Sequence, residues 1–442
     1  MYQNGYVHVL NKKQCQNLSE NEWYIRAAIQ HVNQTNICTR CNQVIAETCI
    51  LPNGVCYCPF CLQFGRLTSQ DFLCSKKPSE CVRREVFLSW QGELTIYQKR
   101  VADALCQNYF LHQHTLVWAV TGAGKTEMLF PLIYQALSDG KRVCIASPRI
   151  DVCLELFPRI KQAFTAEDIY LLYGNSEESY RETSLFICTT HQLVHFYRSI
   201  DVLIIDEIDA FPYADDVFLN FASKQALKKD GLQVFLTATP SNQLIKNLNR
   251  EKNFQICKLP LRFHQRPLLQ PKCIWFNQWE KIPYHPRKGR KFVRLLQELC
   301  QNQIVLVFCP SIQYNHQLYV YVHNQLPNIS MTEVSSIDEK RQEKVRKLRN
   351  QHFKIIFTTT ILERGVTIDN VSIVIVGANH PVFSKSALVQ IAGRADRKGT
   401  VQNGRVYFLL SDYTLEIKQA CREIAAMNQL AKKWLNDEMR LV

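Results

Sequence analysis

Residues 119–126 read AVTGAGKT, in which the apolar run TLVWAV, 115–120, passes into a glycine turn ahead of a helical pattern. No other stretch restricts the fold as tightly. A strand that ends in a glycine turn and hands straight on to a helix points successive backbone N–H groups at one spot, which is a phosphate cradle. In such a cradle Thr121, Gly122, Ala123, Gly124 and Glu127 surround the nucleotide, and the Lys125 ammonium reaches the β- and γ-phosphates. The Thr126 hydroxyl is the expected ligand of Mg2+, with ATP as the nucleotide. Ala119 stands where the usual G-x-x-x-x-G-K-[ST] pattern opens on glycine.

A loop of this kind needs a parallel sheet behind it and a metal-organising acid on a neighbouring strand. The runs RVCIAS, SLFICTT, DVLIIDE and QVFLTAT alternate with helical patterns and predict short buried strands of a sheet covered on both faces. DVLIIDEIDA supplies the acids: Asp206 to hold Mg2+, Glu207 to polarise the attacking water. Acids after a strand more often cap a helix, and the phosphate loop is what favours the catalytic reading. The proline-rich LPLRFHQRPLLQPKC, 259–273, interrupts the alternation, which resumes with QIVLVFCP, KIIFTTT, VSIVIVGA and GRVYFLLS. From Asp412 the chain reads as one or two helices, with Ile417, Ile424, Leu430 and Trp434 as expected core contacts. The fold class is therefore α/β with two parallel-sheet domains: 89–262 and 263–442.

Residues 1–88 differ in kind. CTRC at 38–41 and CPFC at 58–61 pair two C-x2-C knuckles, the spacing of a zinc ribbon, so Cys38, Cys41, Cys58 and Cys61 are the expected Zn2+ ligands. Cys56 competes with Cys58 in CYCPFC, and the two-residue gap favours Cys58. Cys49, Cys74 and Cys81 have no matching knuckle and are expected as buried thiols. Among 18 cysteines in a long chain with no signal-peptide core, a disulfide scaffold is the poorer reading. No apolar run reaches the ~20 residues of a membrane span, and a cytoplasmic location is expected. Lys and Arg outnumber Asp and Glu by 53 to 39, a net +14 that favours a polyanionic partner, nucleic acid ahead of a membrane surface.

In order, these segments resemble the motifs of superfamily-two helicases, over roughly 92–410. LTIYQKRVADAL resembles the segment whose glutamine, here Gln98, reads adenine, and helicase-type phosphate loops tolerate the alanine at 119. ASPRIDV and CTTHQL resemble motifs Ia and Ic, and TTTILERGVTIDN resembles motif V. The resemblance makes Arg149, Thr190 and Thr360 the expected DNA contacts. TATPS resembles motif III, in which Thr237 and Thr239 link the ATP site to the strand, and VFCPSI resembles motif IV. QIAGRADRKG resembles motif VI and makes Arg394 and Arg397 the expected arginine fingers. Asp396 stands where many relatives have glycine, and Thr367 where DEAD-type members have an acid.

A four-cysteine module ahead of such a core is similar to the ComFA family of late competence proteins, and LRFHQRPL at 261–268 looks like that family's inter-domain segment. The resemblance implies two RecA-like domains and an ATPase that moves single-stranded DNA across the bacterial cytoplasmic membrane. It further implies a position at the inner face of that membrane, beside the uptake channel and a phosphoribosyltransferase-like competence partner. A homo-oligomer is left open. The alternatives are a repair or replication-restart helicase of the primosomal type, disfavoured because its cysteines lie between or within the motor domains, and a DNA-binding scaffold switched by ATP.

Overall fold

The computed structural model describes residues 4–78, 81–174, 180–362, 370–396 and 404–439. They form two compact units. The first holds Met1–Val117, Thr126–Thr237 and Asn242–Cys257; the second holds Trp118–Lys125, Ala238–Ser241 and Lys258–Val442.

The seven-stranded sheet runs in the order Phe254–Leu259, His114–Ala119, Leu227–Thr237, Ile200–Asp206, Val143–Ser147, Leu185–Thr189 and Ile169–Leu172. From Leu227–Thr237 outward every pairing is parallel. Ile200–Asp206 is buried at all seven positions, which is why DVLIIDE reads as a continuous apolar run with no alternation. Helix Ile150–Ala163 turns Val152, Cys153, Leu156 and Ile160 inward at helical spacing.

The second sheet is parallel throughout, in the order Lys272–Trp275, Val406–Leu410, Val371–Val376, Ile304–Phe308, Ile355–Thr358 and Met331–Val334. Helices Pro286–Cys300 and Ile312–Gln325 bury Phe292, Leu296, Leu318 and Val322 against Val305 and Val307. The tail is one helix, Leu415–Met439. Its buried stripe is Ile417, Ala420, Ile424, Met427 and Ala431. Leu430 and Trp434 are only half-buried, a correction to the expected core.

Ahead of the first core lie two small antiparallel sheets. Val7–Asn11, Asp71–Lys76 and Trp23–Ala27 form one; Ile29–Val32, Thr35–Cys38 and Val44–Ile45 form the other. They pack on the first core through aromatic rings. Tyr6 stacks on Tyr180 and His195 at 4.6 and 5.4 Å between centroids. Phe64 lies 5.4 Å from Phe218, and Tyr24 meets Tyr197 edge-on at 5.2 Å. Arg26 covers the Tyr197 ring at 3.5 Å and donates to Gln225 Oε1 at 2.9 Å.

Candidate nucleotide and metal sites

The phosphate loop has the backbone its glycines permit. Gly122 and Gly124 take φ of 79° and 73°, a region in which a Cβ clashes with the backbone. Lys125 opens the short helix Lys125–Met128, and Thr126 is buried. Within the second unit Thr121 Oγ1 donates to Gly393 O at 3.1 Å; a Cβ on Gly393 would fall 1.9 Å from that hydroxyl, so only glycine fits. Glu127, expected among the nucleotide-binding residues, is engaged by Arg159 at 2.5 Å. Gln98 is buried at the third position of helix Ile96–Phe110. Its Oε1 accepts from Thr95 N at 2.9 Å while the Thr95 hydroxyl accepts from Gln98 N, a reciprocal cap.

The acids follow the neighbouring strand. Asp206 ends it, buried, and its Oδ1 accepts from Glu207 N at 2.9 Å. Glu207 sits at φ 57°, the left-handed region that costs an ordinary side chain about 1 kcal/mol or more. The left-handed residue turns the chain at the C-terminal end of this central strand. Asp209 Oδ1 accepts from Thr237 Oγ1 at 2.6 Å, joining the acid motif to the end of the Leu227–Thr237 strand. Thr237→Val keeps the shape and removes the donor. It is expected to cost about 1.5–3 kcal/mol, as for a hydrogen bond to a charged group. Thermal unfolding checks this, and an unchanged midpoint would show that the bond is incidental.

In the second unit the polar groups converge on the segment resembling motif VI. Gln390 Nε2 donates to Thr239 Oγ1 at 3.1 Å, and Thr239 also pairs with Ser386 at 2.8 Å. Arg394 is buried. Arg262, which sequence reasoning passed over, is 3% exposed and donates to the carbonyls of Gly393, Ala395 and Asp396 at 3.1, 2.8 and 3.0 Å. An arginine inside the proline-rich LRFHQRPL was the available signal, since a cation in an apolar stretch needs partners. Asp396 adopts φ 47°, and its Oδ2 accepts from Gly404 N at 2.8 Å. A residue in place of glycine is thus accommodated by one of the few side chains that visit this region readily. Arg397 and Thr367 lie outside the described residues. Of the expected DNA contacts, Arg149 and Thr360 are half-buried, and the Thr190 side chain is fully enclosed.

The four knuckle cysteines come together. Their sulfurs all lie within 4.8 Å of one another, and all four residues are fully buried. Cys38 and Cys61 sulfurs are 3.8 Å apart and those of Cys41 and Cys58 3.6 Å. Tetrahedral zinc with Zn–S bonds of about 2.3 Å requires edges of about 3.8 Å, so the donor set fits that ion. The hydrogen bonds that Cys38 and Cys41 donate hold the Cys58 and Cys61 thiols below the usual range and push those of Cys38 and Cys41 above it, so the four sulfurs share their protons as one group. Cys56 lies outside the cluster and, buried beside Cys49, has its thiol pushed up. Arg40 holds the second knuckle from outside, donating to the carbonyls of Cys61, Phe64 and Gly65 at 3.0, 3.1 and 2.7 Å. Cys49 and Cys74 are buried as expected; Cys81 is only half-buried, its thiol 3.8 Å from Asp201 Oδ1.

Comparison with known proteins decides the family. The DEAD/DEAH box helicase family matches residues 95–248, and the helicase conserved C-terminal domain matches 288–399. Competence protein ComFA of Streptococcus pneumoniae is 41% identical over 395 residues, covering 89% of this chain and 90% of that one. The chain belongs to the ComFA family. ComFA of Bacillus subtilis is 39% identical over 396 residues, with 85% and 81% covered. The fold is shared with S. cerevisiae Dbp5 bound to RNA and ADP BeF3, at TM-score 0.55 and 14% identity over 77% of this chain and 97% of Dbp5. The helicase MrfA bound to DNA also shares it, at TM-score 0.53 and 16% identity over 78% of this chain and 52% of MrfA. This ComFA chain is accordingly a helicase-type ATPase built on two RecA-like domains, with a four-cysteine cluster in its N-terminal region. No helix among the described residues is long and apolar enough to cross a membrane.

Proposed function

We propose that this protein is an ATP-driven translocase of single-stranded DNA that powers uptake of transforming DNA across the bacterial cytoplasmic membrane. The proposed division is a zinc-binding module at 1–88, an ATP-binding domain at 89–262 and a second motor domain at 263–442. One observation supports the reading: the acid motif is tied to the strand-end TAT turn, Asp209 to Thr237 at 2.6 Å, a link through which a change at the phosphates would reach that backbone segment. In this mechanism the loop amides and Lys125 hold the phosphates. Thr126 and Asp206 would hold Mg2+, which would supply positive charge against the phosphoryl oxygens. Glu207 accepts a proton from the attacking water, and Arg394 with Arg397 stabilises the transferring group. Gln98 selects adenine, and Arg149, Thr190 and Thr360 contact the strand, Thr190 only if its turn opens. Four cysteines around Zn2+ keep the N-terminal module folded.

The family's name points to DNA uptake, and the proposed setting is the inner membrane face, next to an uptake channel and a phosphoribosyltransferase-like partner. The test is ATP hydrolysis titrated separately with single-stranded DNA, duplex DNA and RNA. Single-stranded DNA should stimulate most. Equal stimulation by RNA, or none by any polymer, would overturn the reading.

A further inference from the structure

Helix Pro286–Cys300 begins PRKGRKFVR and has no acid in its first turn. Arg287, Arg290, Lys291 and Arg294 stand at i, i+3, i+4 and i+7, one face of the helix, and all four are exposed. Among the described residues Glu298 answers only Arg294, at 3.2 Å. Like charges four residues apart, and cations near a helix start, each oppose the helix by some tenths of a kcal/mol. The stripe therefore does not serve the helix's own stability.

Its place in the fold suggests what it serves. The helix connects Lys272–Trp275 to Ile304–Phe308, two strands of one parallel sheet, so it runs against them. Its first turns stand at the edge where those strands end. Lys288 Nζ donates to Asn277 O at 2.7 Å, and Lys291 lies 5.1 Å over the Phe276 ring, which fixes this end of the helix beside the strand's exit. Two aromatic side chains on that exit face solvent: Trp275 is 61% exposed and Tyr284 66%. The same edge carries 309–311 and Thr360, the segments that resemble motifs IV and V.

We propose that this basic and aromatic surface is a further binding site for single-stranded nucleic acid, the four cations taking backbone phosphates and Trp275 and Tyr284 stacking on bases. The proposal rests on the nucleic-acid reading above and lengthens its path. An anionic lipid surface would also attract the cations. Continuity with the strand-end segments favours nucleic acid.

The experiment uses the full chain with all four cations replaced, Arg287→Gln, Arg290→Gln, Lys291→Gln and Arg294→Gln, and a fluorescent oligothymidine titrated across salt concentrations. Each single-strand phosphate contact contributes about 0.7 to the log–log salt slope, so the slope should become shallower by roughly 2 to 3. Affinity near 0.1 M salt should fall by about tenfold or more. A melting curve checks folding. In the unaltered protein, a 4-thiothymidine oligonucleotide should crosslink to peptides carrying Trp275 or Tyr284, whatever the variant does. Parental slope and affinity in a folded variant, or crosslinks confined to other peptides, would overturn the site. So would loss of binding to phosphatidylglycerol vesicles with oligonucleotide binding intact. If the unaltered protein binds no oligonucleotide, the translocase reading itself fails, a different result from failure of the stripe alone.

Discussion

Replacing Glu207 with Gln should lower ATP turnover by about 10²–10⁴-fold while leaving nucleotide affinity near that of the parent. Glutamine has the same shape and can hold the same turn at φ 57°, so Asp206 Oδ1 keeps its bond from the residue 207 amide. Only the proton acceptor is lost. The variant is expected to accumulate with ATP bound. Lys125→Ala separates from it, because losing the phosphate-binding ammonium weakens ATP binding itself. Arg394→Ala should bind nucleotide nearly normally and lose about 10³-fold or more in turnover, the scale of an arginine finger. Nucleotide affinity measured beside strand-stimulated turnover distinguishes the three. Near-parental turnover in Glu207→Gln would place the proton acceptor elsewhere.

Removing the metal is expected to unfold the N-terminal module. Structural zinc sites are worth about 10–16 kcal/mol in apparent binding free energy, more than two small antiparallel sheets can replace. Cys41→Ser should therefore eliminate bound zinc and raise hydrogen exchange across 29–67. The effect should also reach the first core. Phe64, next to the second knuckle, packs edge-on against His195 at 6.0 Å, and Tyr6 stacks on the same ring. His195 ends the turn Thr190–His195, whose segment resembles a strand-facing motif. Exchange in 190–195 should rise together with exchange in the module. A zinc-free protein with parental exchange in both places would remove the structural role of the metal.

The strands most visible in sequence were those buried on both faces, because Val, Ile, Leu and Phe then occur without a break, as in Ile200–Asp206 and Val371–Val376. Ile169–Leu172, Phe254–Leu259, Lys272–Trp275 and Met331–Val334 were not anticipated. All four stand at sheet edges, and all but Ile169–Leu172 carry polar residues. An edge strand needs less apolar surface and so leaves a weaker mark.

Features that depend on covalent neighbours are legible in the chain before it folds. Glycines at 122 and 124 dictate the loop, four cysteines at fixed spacing make two knuckles, and the acids at 206 and 207 must follow their strand. Folding fixed which sulfur faces which and which polar groups meet across the chain, and it kept the cysteine set that the knuckle spacing favoured. It brought Cys38 to Cys61 and Cys41 to Cys58, left Cys56 outside, and set Thr237 on Asp209. It buried Arg262 under three carbonyls and used Asp396 at a left-handed turn where glycine would have been the ordinary choice. Local spacing fixes geometry over a few bonds. Partners far apart in the chain are chosen by the packing of whole sheets and helices, in which no single residue type announces its neighbour.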